Sequence, residues 1–79
     1  MTKLEEKLIE LGYRQNKFCL THYWRCVEWG YYLNIFLKDN NKSIKRKECE
    51  FGGHEILFED IEKLYNAMKH DLEELENVE

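Results

Sequence analysis

The residues most able to do chemistry in this chain of 79 are three cysteines and three histidines. Cys19, His22 and Cys26 form one group, and Cys49 with His54 forms a second. Zinc binds four such ligands in a tetrahedron, usually as two closely spaced pairs. The first group has no CxxC pair, and Cys26 falls inside a predicted strand, where a free cysteine behaves as a small apolar side chain. We therefore expect no metal and no cofactor.

The same residues offer a Cys–His nucleophile, with Cys19 in a loop and His22 as the nearest base. Such a thiol needs a lowered pKa and a cleft, and a small flat sheet offers little cleft. The chain has no glycine-rich phosphate loop, H-E-x-x-H or G-x-S-x-G pattern, and Gly52-Gly53 is most simply a turn. The prediction is a protein that is not an enzyme.

A second candidate site is the segment 38–47, which holds five basic residues against one acid. Four of the basic residues stand close together: Lys42, Lys45, Arg46 and Lys47. They could contact a phosphate backbone while nearby aromatic rings stack on bases, so nucleic-acid binding is the alternative function. The other interpretation is a solvated edge strand that its lysines protect from aggregation.

Two helices frame the chain. Residues 59–76 predict a long amphipathic helix with apolar residues at helical spacing: Ile61, Leu64, Tyr65, Met68, Leu72 and Leu75. From Glu55 onward there are nine acids against two lysines, so the outer face of this helix is a further candidate binding surface. Residues 2–11 predict a shorter helix, with a capping box of Thr2 and Glu5 and a C-terminal cap at Gly12.

Residues 13–58 predict a β-meander. Strands at 22–29 and 31–37 meet at a hairpin turn, 39–42 forms a second turn, and 43–51 returns as an edge strand. The short apolar link 56–58 would suit a fourth strand. The prediction is one small α+β domain of order α-β-β-β-α, whose antiparallel sheet carries the N-terminal helix and the longer C-terminal helix on one face.

The face assignment depends on the turn at Trp29-Gly30. A two-residue turn places Cys26 opposite Leu33 and Trp24 opposite Ile35, which puts all four in the core. A slip by one residue would exchange the faces. With the two-residue turn, the face opposite the core carries these residues: Tyr23, Arg25, Tyr32, Asn34 and Phe36.

Two short helices cover one face of a sheet, so we expect the other face to remain open. Its aromatic and arginine side chains, with half-exposed Trp29 nearby, are typical of a partner-binding surface or of the interface of a homodimer. The basic turn with Lys42, Lys45, Arg46 and Lys47 lies at the end of this face and could steer an acidic partner toward it.

The stretches Lys7–Tyr13 and Glu59–Leu75, with a short meander between them, resemble a group of small phage and prophage proteins of Gram-positive bacteria. The resemblance covers both ends of the chain and brings no catalytic residues with it. It implies an accessory protein that binds and inhibits a host or immune-defence protein, anti-CRISPR proteins being one such class. The element order is also that of double-stranded RNA-binding domains, but this chain has acids where those domains have lysines at the start of the last helix.

An odd number of cysteines without a framework spacing, no signal peptide and no apolar run of about 18 residues predict a cytoplasmic protein with reduced thiols and no membrane span. Together these observations predict a non-enzymatic, phage-type protein that binds a host or defence protein.

Overall fold

The computed structural model of the chain describes residues 1–28, 30–53 and 55–78. In chain order its elements are α1 (Lys3–Glu10), β1 (Arg14–Asn16), β2 (Cys19–Glu28), β3 (Tyr31–Lys38), β4 (Ser43–Phe51) and α2 (Phe58–Glu76). The strands form one antiparallel sheet in the order β1-β2-β3-β4, with both helices on one face. The predicted α+β domain is confirmed. The additional strand is β1, whereas 56–58 forms the entry into α2.

The ends of α1 follow the sequence signals. Thr2 and Glu5 form the predicted capping box, in which each side chain bonds the backbone N–H of the other residue. At the other end Gly12 has a φ of +98°, and the N–H of Tyr13 donates to the carbonyl of Leu8 at 2.9 Å. This is a Schellman motif, which satisfies carbonyls that the helix end leaves free.

The turn between β3 and β4 holds α1 in place. Asp39, Asn40 and Asn41 all have a positive φ, which Asn and Asp tolerate better than most residues. The side-chain amide of Asn41 donates to Glu5 at 3.2 Å, and the backbone carbonyl of Asn41 accepts a hydrogen bond from the Thr2 hydroxyl at 2.7 Å. The start of α1 is therefore bonded to the far end of the sheet.

The core lies between the helices and the sheet. Its buried apolar residues are Leu4, Leu8, Tyr13, Tyr23, Tyr31, Leu33, Ile35, Leu37, Leu64, Met68 and Leu75. Leu64 and Met68 of α2 belong to the same cluster as Leu8, Leu33 and Ile35 of the other elements, and partly buried Leu72 packs against it. Burial of these side chains is the main source of stability for such a small domain.

The buried side of α2 is rotated from the predicted stripe. Leu64, Met68, Asp71 and Leu75 are buried, while Tyr65 is mostly exposed. Asp71 was expected on the acidic outer face, but it is only 1% exposed. Among the described residues, no helix is long and apolar enough to cross a membrane.

The register between β2 and β3 contains a β-bulge. Glu28 pairs with Tyr31, as the predicted two-residue connection requires, but Cys26 already pairs with Tyr32. One extra residue on β2 shifts the remaining pairs, and this exchanges the two faces of the strand. The predicted burial of Trp24 and Cys26 in the core is therefore wrong, and both lie on the face that the helices leave open.

Tyr23 and Arg25 lie on the other face of β2 from Trp24 and Cys26. They pair with Ile35 and Leu33, so they lie on the helix-covered face, and Tyr23 is fully buried. Their predicted position on the open face is wrong for the same reason. Trp29, expected at the turn, lies outside the described residues.

Candidate partner-binding surface

One face of the sheet has no described element packed over it, and we call it the open face. Residues that pair across antiparallel strands point to the same side, so the register defines its members. They are Arg14 from β1, His22, Trp24 and Cys26 from β2, Tyr32, Asn34 and Phe36 from β3, and Arg46, Glu48 and Glu50 from β4. The register of β1 shifts before Asn16, and the bond of Asn16 to His22 places its side chain on the same face. The segment that holds β1 pairs with the edge of β2 and does not fold across this face.

A chain of hydrogen bonds crosses the open face from edge to edge. The amide of Asn16 bonds Nδ1 of His22 at 3.1 Å, and Nε2 of His22 bonds Oδ1 of Asn34 at 2.6 Å. Nδ2 of Asn34 then donates to Oε1 of Glu50 at 3.0 Å. One residue from each strand takes part, so the four side chains hold one another in fixed positions. Asn34 is only 5% exposed, because its neighbours surround it.

The direction of this chain of hydrogen bonds follows from one backbone contact. The N–H of Phe18 donates to Oδ1 of Asn16 at 2.9 Å, so Nδ2 of Asn16 is the atom that faces His22. Nδ2 is a donor, and Nδ1 of His22 must therefore accept. We assign His22 as the neutral imidazole with its proton on Nε2, which donates to Asn34. Every bond in the chain then points toward the carboxylate of Glu50.

The rings of the open face contact one another and two arginines. His22 stacks on Phe36 with ring centroids 4.5 Å apart, and the guanidinium of Arg46 lies 4.0 Å from the Phe36 centroid. Arg46 and His22 come from the strands on either side of Phe36, which is therefore enclosed between them.

The second pair of rings on this face, Trp24 and Tyr32, also has an arginine beside it. Trp24 meets Tyr32 edge to face at 6.1 Å, and the Arg14 guanidinium lies 5.9 Å from the Trp24 ring. Cation–π contacts of this kind fix the rings without covering their outer edges.

A shallow cavity of about 350 Å³ lies over Asn34. It is lined by Asn16, His22, Trp24, Tyr32, Asn34 and Glu50. Its floor is the hydrogen-bonded chain, and two aromatic rings form its walls. Such a combination of fixed polar groups and aromatic surface is typical of a small binding pocket.

The basic residues predicted at the end of this face are separated by the fold. Arg46 lies on the open face, opposite Phe36, and Lys47 lies on the helix side, opposite Ile35. Lys45 is the extra residue of a bulge in β4. Lys42 lies in the 39–42 turn and lines a concavity beside the two helices. The four do not form one basic surface.

Tyr32, Asn34 and Phe36 lie together on the open face, as predicted, while Tyr23 and Arg25 bond groups on the helix side. The Tyr23 hydroxyl donates to Glu5 at 2.7 Å, and burial together with this bond raises the pKa of Tyr23.

Several members of the surface were not singled out from the sequence: Arg14, Asn16, Phe18 and Glu50. His22 was considered only as a metal ligand or base, and Trp24 as a core residue. The alternation of His22, Trp24 and Cys26 along one strand is a signal that could have grouped them. Phe18, at the tip of the β1–β2 hairpin, is 98% exposed and is the most exposed apolar side chain described.

The cysteines are separate from one another. The Cys19 thiol is exposed and bonds the Thr21 hydroxyl, which lowers the pKa of Cys19, whereas both nitrogens of His22 bond asparagines. Cys49 is half-buried, and burial raises the pKa of its thiol. In the described ranges no three His, Cys, Asp or Glu side chains are placed to hold a metal together. His54, considered as a zinc ligand, lies outside those ranges.

A second concavity lies on the helix side, between β4 and α2. Its volume is about 740 Å³, and its apolar lining is formed by Cys49, Phe51, Tyr65, Met68 and Leu72. Lysines and glutamates stand along its rim, so neither charge sign dominates there.

Comparisons of the chain with protein-family profiles, with curated protein sequences and with solved structures give no significant match.

Proposed function

We propose that this domain is a non-enzymatic protein-binding module that docks a partner protein on the open face. The observation that carries the proposal is the set of ordered rings on a face that no described element covers. Aromatic residues and arginine are enriched in protein interfaces, where they supply most of the binding free energy. Here the described residues place four rings and two arginines within one small surface.

These side chains are already held in fixed positions, and this supports the same function. Binding costs free energy when flexible side chains become fixed, and side chains that are already held in place reduce this cost. The polar chain through His22 and Asn34 and the contact of Arg46 with Phe36 hold the central part of the surface. Phe18 adds a fully accessible ring at the edge of the surface.

Nucleic-acid binding is the alternative, and the placement of charges favours it less. Lys47 lies on the helix side, and Arg46 is paired with Glu48 at 3.0 Å. Phe36 is enclosed by two neighbours, so its ring is not free to stack on a base. The whole chain carries a net charge of −4, which opposes a phosphate backbone.

The class of partner follows from the resemblance to small phage proteins. On that basis the partner is a host or immune-defence protein, and the domain would inhibit it by covering its surface. The host cytoplasm is the compartment in which such an encounter would occur.

The test is capture of a partner from a lysate of a Gram-positive bacterium by the tagged domain and by three alanine variants. Phe18→Ala and Trp24→Ala remove rings of the proposed surface, while Tyr65→Ala is the matched control because it removes an exposed ring on α2. We expect the first two to lose a protein that the parent and the control retain. Circular dichroism should show that all three remain folded.

Two outcomes would contradict the proposal. If capture survives at Phe18 and Trp24 but is lost when Tyr65 or the outer acids of α2 are changed, the helix is the binding surface. If capture is lost after nuclease treatment, or falls steeply between 50 and 200 mM salt, nucleic acid is the ligand.

A further inference from the structure

We propose that the cavity over Asn34 is a pocket for an arginine side chain of the partner protein. This inference rests on the protein-binding function proposed above and specifies what the partner must present. The charge of the cavity, its aromatic walls and the hydrogen-bonding groups at its floor support it.

The charge of the cavity favours a cationic ligand. Of the six described residues that line the cavity, Glu50 alone carries a formal charge, because the bond from Asn16 holds His22 in its neutral form. The neighbouring carboxylate of Glu48 is already paired with Arg46 at 3.0 Å. The cavity is therefore negative, and a cationic group complements it.

The aromatic walls of the cavity also favour a cation. Trp24 and Tyr32 present aromatic surface on which a cation binds favourably. The rings of this face already contact guanidinium groups of the chain itself, at Phe36 with Arg46 and at Trp24 with Arg14. Arg14 is not among the described residues that line the cavity, so it does not fill the place of a ligand there. It lies on β1, on one side of Trp24, whereas Tyr32 lies on β3, on the other side.

The floor of the cavity offers hydrogen-bond acceptors to a ligand. Within the described residues only Oε1 of Glu50 is engaged, by Asn34, so its Oε2 can accept from a ligand. Oδ1 of Asn34 accepts one bond from His22 and has a second lone pair. A planar guanidinium carries five N–H donors and suits two such acceptors at once. A volume of about 350 Å³ fits one side chain rather than a large cofactor.

The experiment is an NMR titration of the whole labelled domain with N-acetyl-arginine amide, and in parallel with N-acetyl-citrulline amide. Citrulline has nearly the same shape but no charge. We expect arginine to shift the indole N–H of Trp24 and the side-chain amides of Asn16 and Asn34 in a saturable way. Citrulline should produce much smaller shifts at the same concentrations.

Two variants test whether the charge of Glu50 contributes to arginine binding. Glu50→Gln should weaken arginine binding by about five- to tenfold, because it removes the charge that faces the ligand. Glu62→Gln removes the same charge from an exposed position on α2 and should leave the binding unchanged. Equal binding of arginine and citrulline, no effect of Glu50→Gln, or tighter binding of blocked lysine would each overturn the assignment.

The failure of this inference and the failure of the proposed function are separable. If a captured partner is lost on Trp24→Ala but retained on Glu50→Gln, the arginine pocket is wrong and the binding function stands. If the domain's own Trp24 signal depends on protein concentration without any probe, a second copy occupies the face and the arginine pocket is overturned. If arginine binds as expected while no open-face variant loses a partner, the proposed function fails and the pocket remains.

Discussion

The guanidinium of Arg25, on β2, donates to the carboxylate of Asp71, on α2, at 2.7 Å beneath the helix-covered face of the sheet. The Tyr13 hydroxyl donates to the same oxygen at 2.7 Å, and burial together with this bond raises the pKa of Tyr13. A buried carboxylate is tolerated only when it is paired in this way. The pair therefore connects the long helix to the sheet.

The first prediction is that Arg25→Ala strongly destabilises the domain. It leaves the carboxylate of Asp71 buried without its cation, which costs on the order of 3–5 kcal/mol. Urea denaturation should show this loss in the free energy of unfolding. Arg14→Ala is the control, since Arg14 is exposed, and it should change stability by less than about 1 kcal/mol.

Replacing both partners tests the interpretation further. The double change Arg25→Met with Asp71→Leu removes both charges, so it should destabilise less than Arg25→Ala alone. If Arg25→Ala unfolds at the same urea concentration as the parent, the pair does not hold the helix to the sheet.

The second prediction concerns pH and Glu5. The Thr2 backbone N–H, the Tyr23 hydroxyl and the Asn41 amide bond its carboxylate and lower the pKa of Glu5 from 4.5 to about 2. Because the folded-state pKa is depressed, the stability from these bonds is present above pH 4.5 and is lost as the pH falls toward 2. The size of this contribution is on the order of 2 kcal/mol after allowance for solvent screening.

Denaturation curves between pH 6 and pH 2.5 measure this effect. Glu5→Gln should lower stability at neutral pH and flatten the dependence below pH 4.5, whereas Glu6→Gln, at an exposed neighbouring position, should follow the parent. A parental pH dependence that is unchanged in Glu5→Gln would assign the acid sensitivity to other carboxylates.

The third prediction concerns the core. Leu64 is 1% exposed and packs in the same cluster as Leu8 and Ile35, so Leu64→Ala should cost about 2–5 kcal/mol. Such a loss is enough to unfold a domain of this size at room temperature. Leu57→Ala, at a half-exposed leucine just before α2, should have a much smaller effect. Equal melting temperatures of the two variants would mean that α2 does not dock as described.

The fourth prediction concerns the polar chain on the open face. The ¹⁵N chemical shifts of His22 at neutral pH should identify a protonated Nε2 and an unprotonated Nδ1, since Nδ1 accepts from Asn16. Asn34→Leu keeps the side-chain volume but removes the bonds to His22 and Glu50, so it should cost about 1–2 kcal/mol and leave the domain folded. Partner capture should fall in this variant. The opposite tautomer at His22, or undiminished capture, would show that the chain does not organise the surface.

Much of the local structure was predictable because short-range interactions decide it. The capping box of Thr2 and Glu5, the left-handed Gly12 and the Asp39–Asn41 turn depend on neighbours in the sequence, and each forms as expected. The faces of β3 were also correct, because Leu33 and Ile35 alternate with polar and aromatic residues and leave one apolar side.

What the sequence alone determined is therefore the α+β architecture, the two helices and the inward face of β3. The faces of β2 were decided only in three dimensions. Tyr23, Trp24, Arg25 and Cys26 do not show by their types which of them point inward, and a bulge formed in pairing with β3 sets the choice. Burial of Asp71 depends on the same event, since Arg25 must reach it from 46 residues away in the chain. The open face and its cavity were likewise decided by the tertiary structure, because Asn16, His22, Asn34 and Glu50 become neighbours only when four strands align.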